Sequence, residues 1–249
     1  LEAPAPRTRE GKPDLSGIWE NRFNFGSAGR GRGGTTPPPP AIPADGSPPV
    51  ASFFNIGAGI PGGLPFRPWA KELLDKRRAE NDKDNPDAHC LPMGLLQFHE
   101  HIQPRKIVQT RDVIVIIYEA NYGLRQIFTD GRPLPKSDPQ PWWYGYSVGH
   151  WEGDDLVVET NNLRGADEDS PYDGWLDVNG SPYSREAKIT ERFRRPTLGH
   201  LQIDFTVEDA KAYTKPWTVR VDQRLLPDQE LIEFVCNENQ QFGNRIQLD

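Results

Sequence analysis

The chain is short of the residues that would place it in several large classes. It has one methionine and two cysteines in 249 residues, and its 29 basic residues are outnumbered by 36 acidic ones, for a formal net charge of -7. An acidic chain repels phosphate backbones, so no nucleic-acid partner is expected. Attraction to an anionic membrane surface is not expected for the same reason. Long apolar runs are also missing. The longest, Val113 to Tyr118, has the length of a strand, whereas a spanning helix needs roughly 18–20 apolar residues, so no membrane insertion is expected. There is no phosphate loop, no Gly-x-Gly-x-x-Gly opening a helix and no Gly-x-Ser-x-Gly elbow. Neither cysteine has the histidine context of a nucleophile. Nucleotide cofactors and covalent serine or cysteine hydrolysis are therefore set aside, and no cofactor is expected.

Hydrophobic residues make up only 35% of the chain and mean hydropathy is -0.71. The 25 prolines and 23 glycines account for part of this, because they concentrate in the first hundred residues. The remainder is more apolar than the average, and a chain this long can bury a substantial core. The start at Leu1-Glu2-Ala3-Pro4 reads as a trimmed N-terminus, as left by a cleaved signal peptide and a cloning remnant. The expected location is periplasmic or secreted. Cys90 and Cys236 lie far apart in sequence. One disulfide tying the N-terminal region to the last strand suits an oxidising compartment, and two buried thiols are the alternative.

Along the chain, residues 1–13 read as a flexible tail and 14–249 as a single β-barrel domain. Residues 26–66 form a loop excursion, Gly-rich and then Pro-rich through Pro37–Pro40, too polar to offset its ordering entropy. Its last part, with Phe53, Phe54, Ile56, Ile60, Leu64 and Phe66, reads as a lid over a pocket or as a loop packed outside the core. Residues 68–80 form the one clear helix, with Pro68 suited to its first turn and Lys76, Arg77 and Arg78 near its C-terminus.

From residue 105 the period changes to two. Expected strands are Lys106–Thr110, Val113–Tyr118, Leu124–Thr129, Tyr144–Trp151, Leu156–Asn161, Ala187–Arg194, Leu201–Glu208, Trp217–Leu225 and Leu231–Cys236. Turn signals fall at Arg111-Asp112, Asp130-Gly131, Glu152-Gly153-Asp154-Asp155 and Pro196-Thr197-Leu198-Gly199. Leu201, Ile203, Phe205 and Val207 share one face, as do Trp217, Val219, Val221 and Gln223. That is a sheet with one dry and one wet face. The expected architecture over residues 105–239 is all-β: an antiparallel up-and-down barrel of about 8–10 strands, one N-terminal helix and long Pro/Gly-rich loops, since closure removes the edges. A barrel of roughly eight strands has room for one small ligand.

Gly17-Ile18-Trp19 ahead of such a meander resembles the Gly-x-Trp signature of lipocalin-like (calycin) barrels. The resemblance implies that Trp19 packs across the barrel base. A second resemblance rests on Asp14 to Trp19, Ala88-His89-Cys90-Leu91-Pro92-Met93-Gly94, Ile107 to Thr110, Thr129 to Arg132, Gly145 to Asp154, Thr190 to Phe193, Tyr213 to Trp217 and Glu233 to Asn239. These runs are similar to a large set of bacterial proteins, predicted to be exported and described mostly as hypothetical. That likeness implies export and a shared fold but no reaction. The chain departs from the set at His99 and His101, at Tyr146 and at His150.

Those departures supply candidate chemistry. His99-Glu100-His101 puts two imidazoles on one face if extended; they read as a metal pair, as surface residues or as acid/base groups. Tyr144, Tyr146, Val148 and His150 share a strand face with Trp142 in line, lining the lumen or forming an aromatic outer face. Tyr118, Asp130, Arg125 and Arg132 lie around strand ends, as structural ion pairs or as a proton acceptor with an oxyanion holder. The loop Asp167-Glu168-Asp169 with Asp173 and Asp177 lacks EF-hand spacing and reads as solvated acid rather than a Ca²⁺ site.

The functional expectation is a cofactor-independent lyase or isomerase. It would run elimination, isomerisation or cyclisation by proton transfer on a hydrophobic aromatic or terpenoid small molecule in the barrel. His99, His101, Tyr146, His150, Tyr118 and Asp130 are its catalytic candidates, and no metal is assigned. Trp142, Tyr144, Phe53, Phe54, Arg125 and Arg132 are its substrate-binding candidates. The alternative is a lipocalin-like carrier of the same kind of molecule.

Overall fold

The alternation of the second half of the chain closes on itself. The computed structural model describes residues 1–22, 43, 45–136, 140–167 and 170–236. Nine strands form one closed barrel in chain order. They are β1 (Gly17–Asn21), β2 (Arg105–Gln109), β3 (Val113–Tyr118), β4 (Leu124–Phe128), β5 (Tyr146–Glu152), β6 (Asp155–Asn161), β7 (Lys188–Thr197), β8 (His200–Glu208) and β9 (Trp217–Leu225). Neighbours are antiparallel except β4 and β5, which run parallel over Ile127↔Ser147 and Phe128↔Val148. The fold is the expected all-β, lipocalin-like barrel.

Its core follows from the two-residue period. Leu201, Ile203, Phe205 and Val207 on β8 are fully buried, and opposite them Trp217, Val219 and Val221 on β9 point the same way. Each such side chain contributes up to about 1.5–3 kcal/mol against an extended reference chain. The wet face carries the ion pairs Arg194–Asp204 and Arg220–Asp204, both at 2.6 Å.

Several expectations need correction. The barrel does not begin at Arg105: β1 pairs with both β2 and β9 and closes the ring. Leu231–Cys236 forms no strand. With β1 occupying the edge of β9, that segment has no ladder to join. It is held instead by Ile232 N donating to Glu119 Oε2 at 3.1 Å and by the Cys90–Cys236 disulfide. Residues 1–13, read as a flexible tail, are tied to the barrel: Arg7 pairs with Asp154 at the β5–β6 turn at 2.6 Å, and residues 1–4 lie along the β7–β8 turn. There Leu198 N donates to Ala3 O at 2.7 Å and Gly199 N to Leu1 O at 2.8 Å. The excursion at 26–42 and 44, with Glu168 and Asp169, lies outside the described residues. The 53–66 loop joins the core through Ile56, which is buried, with Ile60, Leu64 and Phe66 packed against that core, while Phe54 stays exposed.

Trp19 is fully buried, with its Nε1 donating to Leu15 O at 3.0 Å and Arg195 stacked 4.8 Å from the ring centroid. Gly17 before it is required: its φ is +144°, and a Cβ there would come within 2.6 Å of Leu225 Cδ1. The expected helix is present as α1 (Pro68–Ala79). A second helix, α2 (Leu95–Glu100), was not expected, and all six of its residues are buried.

Candidate active site

The segment that carries the His-x-His pair is α2, not a strand. The pair does not share an extended face, because His99 ends a helical turn and His101 is the extended residue after it. Side chains from three strands hold the free carbonyls at the end of this helix. Arg105 on β2 donates to His99 O and, at 3.0 Å, to His101 O. Gln223 on β9 donates to His99 O at 3.1 Å, and Asn21 on β1 to Glu100 O at 2.9 Å. An isolated six-residue helix would not persist in water; here burial and these caps keep it.

α2 places His99 in contact with a buried charged network. His99 Nε2 lies 2.7 Å from Glu191 Oε1 on β7. Arg125 on β4 grips the same carboxylate with both Nη atoms, Nη1 to Oε1 at 2.9 Å. Arg125 also donates to Ser147 Oγ on β5 and to Thr160 Oγ1 on β6, each at 3.1 Å. The side chains of His99, Arg125 and Glu191 are at most 1% exposed. Burial opposes the charge on Glu191, but Arg125's charge and the bonds from His99 and Arg125 outweigh it and hold the carboxyl at about 2. Burial lowers the His99 pKa, with Glu191 opposing, so the ring is neutral. An ionised carboxylate only accepts, so the proton of neutral His99 sits on Nε2 and its Nδ1 keeps a lone pair. That Nδ1 is buried with no hydrogen-bond partner.

The surroundings are aromatic. The His99 ring centroid lies 6.3 Å from that of Tyr118, 6.0 Å from Phe193 and 6.2 Å from Phe205. Phe98 stacks on Tyr118 at 4.1 Å and meets Tyr144 at 5.2 Å. The Tyr144 hydroxyl is buried and unpartnered, while the buried Tyr118 hydroxyl lies against the Arg125 guanidinium. Burial raises both phenols, Tyr118 to about 12, so they remain proton donors. On α2, Gln97 and Glu100 are also buried with every side-chain heteroatom unpartnered, and burial pushes the Glu100 carboxyl well up. Buried polar atoms without partners are rare in folded proteins and mark positions where a ligand or ordered water bonds.

The expected site residues divide in three. His99, Tyr118, Arg125 and Tyr144 come together inside the barrel. His101 sits half-buried at the edge, its ring 5.7 Å from Phe53, with Phe54 beside it on the exposed loop. Tyr146, His150, Asp130, Arg132 and Trp142 are on the outer wall. The register gives the reason: β5 turns Ser147 and Gly149 inward, so Tyr146 and His150 point outward. His150 meets Glu152 at 3.2 Å, and Asp130 pairs with Arg132 at 2.6 Å in an exposed ion pair. Arg132 stacks over Phe128 and donates to Tyr146 Oη at 3.2 Å. None of these five meets the interior network. Sequence reasoning missed Glu191, Ser147, Thr160 and Arg105. Glu191 had a usable signal: it shares the inward parity of Ile189 and Phe193 on β7. Among the described residues, no group of three or more His, Cys, Asp or Glu side chains is arranged to hold a metal ion.

Comparison with protein-family models, with curated proteins and with solved structures finds no match. The Cys90–Cys236 bridge, with Cα atoms 5.6 Å apart, is the chemistry of an oxidising compartment.

Proposed function

We propose that the barrel interior is a proton-transfer site acting on a small hydrophobic molecule, aromatic or terpenoid in frame, in the periplasm or outside the cell. One observation carries the reading: His99 is fixed by Glu191 through Nε2, while Nδ1 is left with a free lone pair in an aromatic, water-poor setting. A base held in one tautomer by a carboxylate is the arrangement general-base chemistry uses. Nδ1 takes a proton from a substrate carbon, and the electron pair left behind forms a carbon–carbon double bond. In an elimination that bond expels an oxygen leaving group, protonated by the Tyr118 or Tyr144 hydroxyl. In an isomerisation the shifted double bond takes a proton back at a different carbon. Arg125 positions Glu191 and balances its charge, so it acts through Glu191 rather than on substrate.

The test is deuterium incorporation. The protein is incubated in deuterium oxide with an organic-solvent extract of bacterial culture, and small molecules are read by mass spectrometry. The expected result is a wild-type product carrying solvent deuterium, lost in His99→Gln and slowed in Tyr118→Phe, which keeps the packed ring. A lipophile recovered bound and unchanged would establish the carrier instead. Equal turnover by wild type and His99→Gln would refute the assignment of the base.

A further inference from the structure

Away from the interior network, a cleft of about 690 Å³ opens where β6 ends, β7 begins and β8 ends, roofed by residues 209–216. That volume suits a ligand of one or two sugar-sized units. Its charge opposes that of the chain. Five basic residues line it against three carboxylates, in a protein with a formal net charge of -7.

Two of those carboxylates are already committed. Asp209 accepts from Ser184 N at 2.6 Å, from Ser184 Oγ at 2.9 Å and from the Lys211 and Ala212 amides. Glu186 pairs with Lys211 at 2.9 Å. The third, Glu208, stands opposite Lys188 in the β7–β8 register. Among the described residues, Arg67, Lys136, Lys188 and Lys215 have no carboxylate within ion-pair distance. The floor adds a specific acceptor. Asn161 is anchored by its Nδ2, which donates to Pro135 O at 2.8 Å, leaving Oδ1 buried and unpartnered. Tyr213 is buried beneath, its hydroxyl donating to Pro182 O at 2.9 Å.

We propose that this cleft binds a small hydroxyl-bearing organic anion, a sugar acid or a sugar phosphate. The unpaired cations at the rim attract the anionic group, and Asn161 Oδ1 accepts from a ligand hydroxyl. The site stands independently of the proton-transfer reading, since no residue of the His99–Glu191–Arg125 network lines it.

Calorimetric titration tests it with gluconate and glucose 6-phosphate as probes and glucose as the neutral control. Gluconate, glucose 6-phosphate or both are expected to bind where glucose does not, and which of them binds separates carboxylate from phosphate recognition. Binding should weaken as salt rises toward about 1 M. Lys136→Gln/Lys215→Gln, two exposed positions, should weaken it about tenfold. Lys76→Gln on α1, outside the cleft, should leave it unchanged. Binding of neither anion above glucose, or equal binding by the double variant and wild type, would overturn the proposal.

Discussion

Replacing Glu191 by Gln keeps its shape and removes its charge. The structure sets the expected cost. Arg125 is fully buried and Glu191 is its carboxylate partner, so the variant strands a guanidinium inside the barrel with only neutral groups, Ser147, Thr160, Tyr118 and an amide, to bond. Breaking one side of such a pair costs about 3–5 kcal/mol. Removing both charges relieves most of that cost, so Arg125→Met/Glu191→Met should be more stable than the single variant. Acid provides a second measure. Glu191 is held at about 2 in the fold against 4.5 when free, and a lowered carboxyl stabilises above its unfolded pKa. That contribution, roughly 3 kcal/mol, is complete above pH 4.5 and is lost as pH falls toward 2. Urea unfolding of the oxidised protein from neutral pH down to acid is the assay. The wild type should lose this increment in the acid window and Glu191→Gln should not. A single variant within about 1 kcal/mol of wild type, or a double variant no more stable than the single, would refute the reasoning.

The disulfide closes a loop spanning 146 residues, so the chain-entropy model gives about 5 kcal/mol, and Cys90→Ala/Cys236→Ala should show a lowered melting temperature near that equivalent. Glu100 has the opposite sign to Glu191. Its carboxyl is raised by burial, so its protonated form supports the fold at low pH and a penalty grows as pH rises past its unfolded pKa. Glu100→Gln should therefore be more stable than wild type at pH 8 and equal to it at pH 4, as read by melting at both. At Gly94 a Cβ would come within 2.1 Å of Trp175 O and 2.7 Å of Leu176 O. Both are backbone atoms that cannot swing aside, so Gly94→Ala should cost at least about 2 kcal/mol in the same urea assay.

The barrel was legible wherever one wall is dry and the other wet. β8 and β9 alternate without exception, and β3 and β9 have the bounds their side-chain pattern indicated. β1 was harder to read as a stave: it is five residues long and separated from its partner β2 by a long interval in which no described residue belongs to a strand. α2 was hidden for a different reason. A helix buried on every side has no polar stripe, so Leu95, Leu96 and Phe98 give no period to detect, and Gln97, His99 and Glu100 look like surface residues. The interior site was half visible. His99, Tyr118 and Arg125 were candidates by residue type, but what unites them is Glu191, which hides in a charged-looking Thr-Glu-Arg run. On β5 the outward positions are a matter of parity, because a shift of one residue along the strand exchanges Tyr146 and His150 for Ser147 and Gly149.

The parallel contact between β4 and β5 follows from counting. A closed ring whose neighbours all run opposite must have an even number of members. Nine members leave one join where direction cannot reverse, and here it falls between β4 and β5. To make that join, the chain must return to the end of the barrel where β4 starts before β5 can begin, instead of turning directly. That return path carries Asp130, Arg132 and Trp142 outside, which is why residues near β4 in sequence end on the far side of the wall from Arg125. The join is also short, with two residue pairs against seven between β5 and β6. The odd member thus gives an otherwise edgeless cylinder a zip, located beside Ser147 and the buried guanidinium.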